Sequence, residues 1–397
     1  MQTKKRSLIL LVLALVNFTN IVDSMLIMPL GDIFIDLFDL SASQYSYLVS
    51  AYAIAASISA LAGFFLIDRF DRKKVLLFIY IGFGIGTILC AFATSYALLV
   101  GVRFFTGLFG GMIAATILSI VSDLYPFKER GSAMGVLFAS FSAASALGIP
   151  IGLYLADQGS WQLPFEILGS LALVISVVLF FIFPNMTAHV SKERKSMLTT
   201  ITSITKDKNQ INALVAGFVL ILAHFIIIPF ISPYLIKNVG LTQSEITYQF
   251  LFGGLATVVS SPIIGRMTDK YGVMKVFIAM IVLSFIPTVI ITNLSVVPVS
   301  IAIFYTTLFF IFGSGRMISP NTIITAAAPQ ENRGSFMSIK SSLQQMAIAV
   351  SSFLGGIIVY LGDDDLYYNY EYVGYLSILF SFFAIYLVGR IKVAKGN

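Results

Sequence analysis

Twelve times along this chain an apolar run reaches the length that crosses a bilayer. A helix needs about 20 residues to span the hydrocarbon core, and only helices or closed barrels keep their backbone hydrogen bonds satisfied there. The runs fall at roughly 7–31, 44–67, 75–94, 97–122, 133–156, 163–184, 210–236, 246–267, 275–294, 298–326, 335–361 and 372–389. Only 11% of the 397 residues are charged and 58% are hydrophobic, whereas a soluble domain carries about 25% charged residues. The chain therefore reads as an all-α integral membrane protein.

The charges sort by side. Lys4-Lys5-Arg6 ahead of an apolar run imitates a secretory signal. The run is too long for one and lacks a small-residue cleavage site, so it reads as a first transmembrane helix. Arg69, Arg72, Lys73, Lys74, Lys128, Arg130, Lys270, Lys275, Arg333, Arg390 and Lys392 fall in alternate connections on one side. The other side holds Lys237 and many acids, including Asp36, Asp39 and Asp363 to Asp365. The positive-inside rule then predicts a multi-pass cell-membrane protein with both termini cytoplasmic. The net charge of +6 is a topology signal rather than a nucleic-acid patch, so no nucleic-acid partner is expected. The single Cys90 forms no internal disulfide and leaves the redox compartment open.

The longest polar stretch, 185–209, contains Ser191-Lys192-Glu193-Arg194-Lys195 and Lys206-Asp207-Lys208. It reads as a cytoplasmic linker between a six-helix bundle over 1–184 and another over 210–397. The halves repeat. Pro126-x-x-x-Arg130-Gly131-Ser132-x-Met134 recurs 203 residues later as Pro329-x-x-x-Arg333-Gly334-Ser335-x-Met337. Asp68-Arg69-Phe70 is answered by Asp269-Lys270-Tyr271, and Met28-Pro29-Leu30 by Ile228-Pro229-Phe230. Parallel repeats of this size are a transporter architecture, with the substrate site expected where the halves meet.

Within the first run, Asn17, Asn20 and Asp23 are three residues apart and share one helical face. An ionised Asp at mid-helix costs roughly 2.5–3.5 kcal/mol on insertion scales, so the stripe is expected to face protein or water.

Twelve spans, a long central linker and the repeated loop signatures resemble the major facilitator superfamily over nearly the whole chain. After span 2 the family shows Gly, then Asp-Arg-x-Gly-Arg-Lys-Lys. Here the segment runs Gly63 to Asp68-Arg69-Phe70-Asp71-Arg72-Lys73-Lys74, with the first Gly one residue too far and Asp71 in place of the second. Gly265 to Asp269-Lys270-Tyr271-Gly272 keeps both glycines. Arg103-x-x-x-Gly107 matches the span 4 signature of proton-coupled members, with Thr106 where the family has Gln. Gly148, Pro150 and Gly152 resemble the antiporter signature of span 5, although Ile149 separates the usual Gly-Pro pair. Trp161-Gln162 and Phe165 resemble the Trp-Arg-x-x-Phe of efflux members. Together these are similar to the twelve-helix drug:proton antiporter branch.

In that family spans 1, 4, 7 and 10 line the central cavity. Asp23, Arg103, His224 and Arg316 are ionisable residues inside those spans, one on each. The resemblance assigns proton coupling to Asp23, Arg103 and His224. It assigns the substrate cavity to these with Asn17, Asn20, Gln249, Arg316, Asn321 and Gln344. It assigns a cytoplasmic gate to Asp68, Arg69, Arg72, Arg130, Gly131, Asp269, Arg333 and Gly334. Structural hydrogen bonding between helices is the competing role for each buried polar residue. No HExxH, GxSxG, CxxC or P-loop occurs. The chain is thus expected not to be an enzyme and to need no cofactor or metal, with a proton gradient as the driving force. The leading expectation is a monomeric, proton-coupled exporter of small apolar or amphipathic compounds. A sugar or polar-nutrient carrier and a non-transporting scaffold or receptor are the alternatives.

Overall fold

A computed structural model describes residues 3–67, 69–125, 127–187, 202, 204–329 and 333–394. Twelve helices among them are long and apolar enough to cross a membrane. In chain order, spans 1 to 6 are Arg6–Leu26, Ala42–Gly63, Arg72–Ala91, Tyr96–Leu124, Ala133–Gln158 and Leu163–Ile182. Spans 7 to 12 are Lys208–Lys237, Gln243–Tyr271, Val273–Thr292, Val299–Ala326, Ser335–Ile358 and Tyr370–Val388. Phe78 of span 3 and Phe181 of span 6 remain 69% and 78% exposed. Lipid accepts such side chains, and water does not.

The repeated prolines mark repeated breaks. Span 1 stops at Leu26, five residues short of the expected end, and a turn carries Pro29 before the short helix Gly31–Phe38. Span 7 is two helices, Lys208–Phe225 and Ile228–Lys237, with Pro229 at the start of the second. Proline has no N–H to give and its ring crowds the carbonyl four residues back, so a helix restarts there rather than running through.

Packing divides the chain into two compact units: Met1–Ile27 with Ala51–Arg194, and Met28–Ser50 with Lys195–Asn397. In the first unit, span 3 packs on spans 4 and 6, and span 1 on spans 4, 5 and 6. In the second, span 9 packs on spans 10 and 12, and span 7 on spans 10, 11 and 12. The same pairs recur six spans later, as the sequence repeat implies.

The core of the first unit brings Leu76, Ile79 and Phe83 of span 3 against Ile117 and Ile120 of span 4 and Ile175 of span 6. That of the second joins Phe277 and Ile281 to Leu220 and Ala384. The second unit also takes residues 28–50, which precede it in sequence by more than a hundred residues. The Tyr45 hydroxyl lies 3.0 Å from the carbonyls of both Met28 and Pro229. Gln243 donates to the Pro29 carbonyl at 3.2 Å. Spans 11 and 12 are joined by a two-residue antiparallel ladder, β1 (Tyr360–Leu361) with β2 (Tyr367–Tyr368), pairing Tyr360 with Tyr368. The all-helical reading of the sequence did not include it.

Small residues set how closely the spans approach. A Cβ on Gly107 would lie 2.4 Å from the Tyr52 carbonyl oxygen, and one on Gly111 would lie 2.2 Å from that of Ala56. Span 4 therefore rests against the backbone of span 2, which only glycine permits. Span 5 meets the side chains of span 1: Cβ atoms on Gly148 and Gly152 would fall 2.3 Å from a Val22 methyl and 2.7 Å from a Leu26 methyl. Ahead of Pro150, residues Ala144–Gly148 form a single π turn, closed by the Ile149 N–H on the Ala144 carbonyl. The widened turn absorbs the hydrogen bond that Pro150 cannot make.

These contacts predict that Gly111→Leu lowers the unfolding midpoint of the detergent-purified chain, by about 1–3 kcal/mol of overpacking strain or more. Gly101→Ala, where a Cβ meets nothing within 4 Å, should leave the midpoint unchanged. Thermal unfolding followed by monodispersity on size exclusion measures both.

Candidate functional site

The polar stripe of span 1 faces protein, and each member finds a partner on a different span. Asn17 donates to Ser140 Oγ of span 5 at 2.8 Å. Asn20 Oδ1 accepts from the Tyr52 hydroxyl of span 2 at 3.3 Å. Asp23 meets spans 3 and 4. Its Oδ2 accepts from Arg103 Nη1 at 2.9 Å, and its Oδ1 from the Thr87 hydroxyl at 3.0 Å. Arg103 Nη2 reaches the Asp23 carbonyl at 3.4 Å, and the Tyr52 ring lies 4.4 Å from the guanidinium carbon. Asp23 and Arg103 are both wholly buried. A buried pair of this kind contributes little net stability, but removing one partner strands the other charge and costs about 3–5 kcal/mol. The Asn17 amide links span 1 to span 5.

The second unit rebuilds this arrangement with different chemistry. His224 stands 201 residues after Asp23, and Thr288 stands 201 after Thr87. Arg316 on span 10 donates to His224 Nδ1 at 2.8 Å, to the Ala223 carbonyl at 3.4 Å and to Ser381 Oγ at 3.4 Å. Arginine only donates, so Nδ1 is an acceptor and the imidazole carries its proton on Nε2. The ring stacks on Phe309 at 5.3 Å, and a Cβ on Gly313 would lie 2.6 Å from its Cε1. The Gly313-Ser314-Gly315 run makes room for the imidazole. Thr288 Oγ1 is buried and has no hydrogen-bond partner among the described residues.

Of the other cavity candidates, Gln249 is fully buried, and neither amide atom has a hydrogen-bond partner among the described residues. Asn321 is exposed and accepts a hydrogen bond from Lys340, while Gln344 is half-buried on span 11. Lys340 itself, 5% exposed, was absent from the sequence-derived candidates. Its sequence signal is a lysine inside a bilayer-length apolar window, on span 11 rather than on spans 1, 4, 7 and 10, which hold the ionisable candidates. Among the described residues, no group of His, Cys, Asp and Glu is placed to hold a metal ion.

The gate candidates divide. Asp68 lies outside the described residues. Arg130 and Gly131 belong to the helix Phe127–Ala143, and Arg333 and Gly334 to Arg333–Ile358; their side chains are likewise outside the described part. Asp269 is exposed near the end of span 8. Arg69 is exposed at the mouth of a cleft of about 540 Å³ lined by Phe70, Lys74 and Phe78. Arg72 is buried within the first unit, 2.5 Å from Asp123 of span 4. Asp71, which departs from the family pattern, caps span 3: its Oδ1 accepts from the N–H groups of Lys73 and Met186.

A separate ionic cluster ties residues 28–50 to the second unit. Lys237 lies 2.9 Å from Asp36, 2.8 Å from Asp365 and 3.7 Å from Asp32. Burial pushes the Asp32 carboxyl up to about 6; Lys237 opposes this, and the like charges of Asp36 and Asp365 add to it. A carboxyl raised in the folded state stabilises that state at low pH and loses the contribution as pH rises through its folded value.

Two expectations follow from these geometries. Arg103→Leu should destabilise the chain by about 3–5 kcal/mol, and adding Asp23→Leu should recover much of the loss, as measured by denaturant unfolding in a double-mutant cycle. Asp32→Asn should unfold at a higher midpoint than the parent at pH 7. The gap should close as pH falls from about 6 toward 3.8, as read from thermal unfolding across that range.

The profile of the Major Facilitator Superfamily matches residues 13–211 and 213–395. The uncharacterized MFS-type transporter YbcL of Bacillus subtilis is 22% identical over 95% of this chain and 94% of its own length. A protein named a probable sugar efflux transporter in Helicobacter pylori is 24% identical over 59% of each chain. In fold, the chain is similar to a bacterial homolog of the human lysosomal transporter Spinster, solved inward-facing and occupied. That match has a TM-score of 0.77 and 14% identity over 100% of both chains. Twelve spans in two repeated six-span sets, with a profile match over nearly the full length, make this chain a member of the major facilitator superfamily, a membrane transporter and not an enzyme.

Proposed function

We propose that the chain is a proton-coupled secondary transporter that exports small apolar or amphipathic compounds by alternating access, as a monomer in the cell membrane with both termini cytoplasmic. The observation that carries this reading is the wholly buried Asp23–Arg103 pair. An ionisable pair buried inside spanning helices is costly to keep and marks ion or substrate pathways. Asp23 is held by Arg103 of span 4 and by Thr87 of span 3, so separating these spans breaks its charge-assisted contacts. Spans 1 to 4 all touch the pair, and a change in their packing is thereby coupled to proton uptake. His224 is a second protonatable group at the repeated position. The Lys and Arg bias of alternate connections supports the orientation.

A second reading is sugar export, favoured by the Helicobacter pylori relative. The buried amide of Gln249, with no partner among the described residues, and the exposed amide of Asn321 are groups a polyol could use.

Proteoliposomes with an imposed pH gradient, a panel of amphipathic compounds and sugars, and an internal pH dye test both readings. Asp23→Asn should abolish uphill accumulation and the accompanying proton flux while leaving downhill exchange. Full uphill transport with unchanged proton flux in Asp23→Asn would refute the coupling assignment.

A further inference from the structure

The two units differ in how their buried cations are balanced. In the first unit the buried cations have carboxylates: Arg103 meets Asp23, and Arg72 meets Asp123. In the second, Arg316 and Lys340 are 1% and 5% exposed, and none of their described partners is an acid. Arg316 is held by an imidazole, a carbonyl and a hydroxyl. Lys340 is held by the Asn321 amide oxygen. Every described carboxylate of this unit lies in a connection or in a terminal turn of a span, including Asp32, Asp207, Glu245, Asp269, Asp365 and Glu371.

The two cations are not equivalent. Arg316 spreads its charge over three acceptors on spans 7 and 12. Lys340 has three N–H donors, and one described acceptor uses only one of them. It reaches from span 11 to span 10. Gln344 follows Lys340 by four residues and shares its helical face, and Asn321 and Thr322 are exposed on the facing span. Apolar groups adjoin this polar strip: Met317 precedes Asn321 by one turn, while Met337 and Leu343 flank Lys340, all three only partly buried. A cationic head with spare donors beside adaptable apolar walls is complementary to an amphipathic acid.

We propose that Lys340, with Asn321 and Gln344, binds the carboxylate of an amphipathic organic acid, the substrate class of this transporter. The proposal rests on the transport reading above and specifies what is carried. One ammonium and two amides suit a singly charged carboxylate. The Asp23 carboxylate, already engaged by Arg103 and Thr87, offers no comparable place for a cation.

The test uses the full chain in detergent and three probes with one tail: phenylbutyrate, phenylbutylamine and phenylbutanol. Phenylbutyrate should raise the thermal unfolding midpoint in a saturable way, and the amine and alcohol should not. Lys340→Gln should weaken the phenylbutyrate response by about ten-fold or more, the size of one charge-assisted contact, and Lys340→Arg should retain it. Without ligand, Lys340→Gln should unfold no lower than the parent, because it removes a buried cation lacking a counter-ion. Equal stabilisation by all three probes, an unchanged phenylbutyrate response in Lys340→Gln, or a large loss of unliganded stability would each overturn the assignment. These measurements need no gradient. Absence of proton-coupled transport would sink the coupling reading and leave the acid site standing, whereas pH-driven transport without acid binding would do the reverse.

Discussion

A charge or an unpaired backbone group cannot be left bare in hydrocarbon, and the interior of the first unit is arranged around that cost. Asp23 on span 1 requires Arg103 on span 4, Thr87 on span 3 completes the carboxylate, and the Tyr52 ring on span 2 covers the guanidinium. Four helices are thus held in register by one ion pair. The glycines serve the same end: without Gly107 the backbone of span 2 would stand off from span 4, and Tyr52 would leave Arg103. An apolar bundle in lipid has little hydrophobic driving force between its helices. A buried pair with a single satisfactory geometry supplies specificity that Leu and Ile packing alone does not.

Duplication kept this geometry and changed its chemistry. Position for position, the second unit has His224 for Asp23 and a second buried arginine on the span that follows by three. The contacts of spans 1 and 3 in the first unit recur as those of spans 7 and 9 in the second. A neutral imidazole accepts from arginine as the carboxylate does, but leaves the positive charge uncompensated. In the first unit the buried cations meet carboxylates, and in the second none of the described partners of the buried cations is a carboxylate. Two copies of one fold thus differ in the charge balance of their interiors.

The exchange of residues 28–50 gives the second unit a segment from the other repeat. It is held by Tyr45 at two carbonyls, by Gln243 at Pro29, and by Lys237 between Asp36 and Asp365. All but the ionic cluster are hydrogen bonds among helix ends, and none involves the buried charge sites. Asp32, with a carboxyl pushed up to about 6, makes the same contact sensitive to mild acid.

The sequence by itself determined the number of spans, their approximate limits and the repeat, because lipid imposes a length and a polarity that are read residue by residue. It also singled out Asp23, Arg103, His224 and Arg316, since an ionisable residue in an apolar run stands out without any structure. Tertiary structure alone decided who pairs with whom. That Asp23 joins Arg103 while His224 joins Arg316 depends on crossings between spans eighty to ninety residues apart, which helical periodicity does not encode. The breaks near Pro29 and Pro229 were visible as a motif, but their effect, a span that ends at Leu26 and a segment that packs with the other unit, is a matter of packing. Asp71 looked like a departure from a glycine pattern and proved to be a helix cap for span 3. Lys340 is as visible in its apolar run as Arg316 is, but that none of its described partners is a carboxylate is a property of the folded interior rather than of the chain.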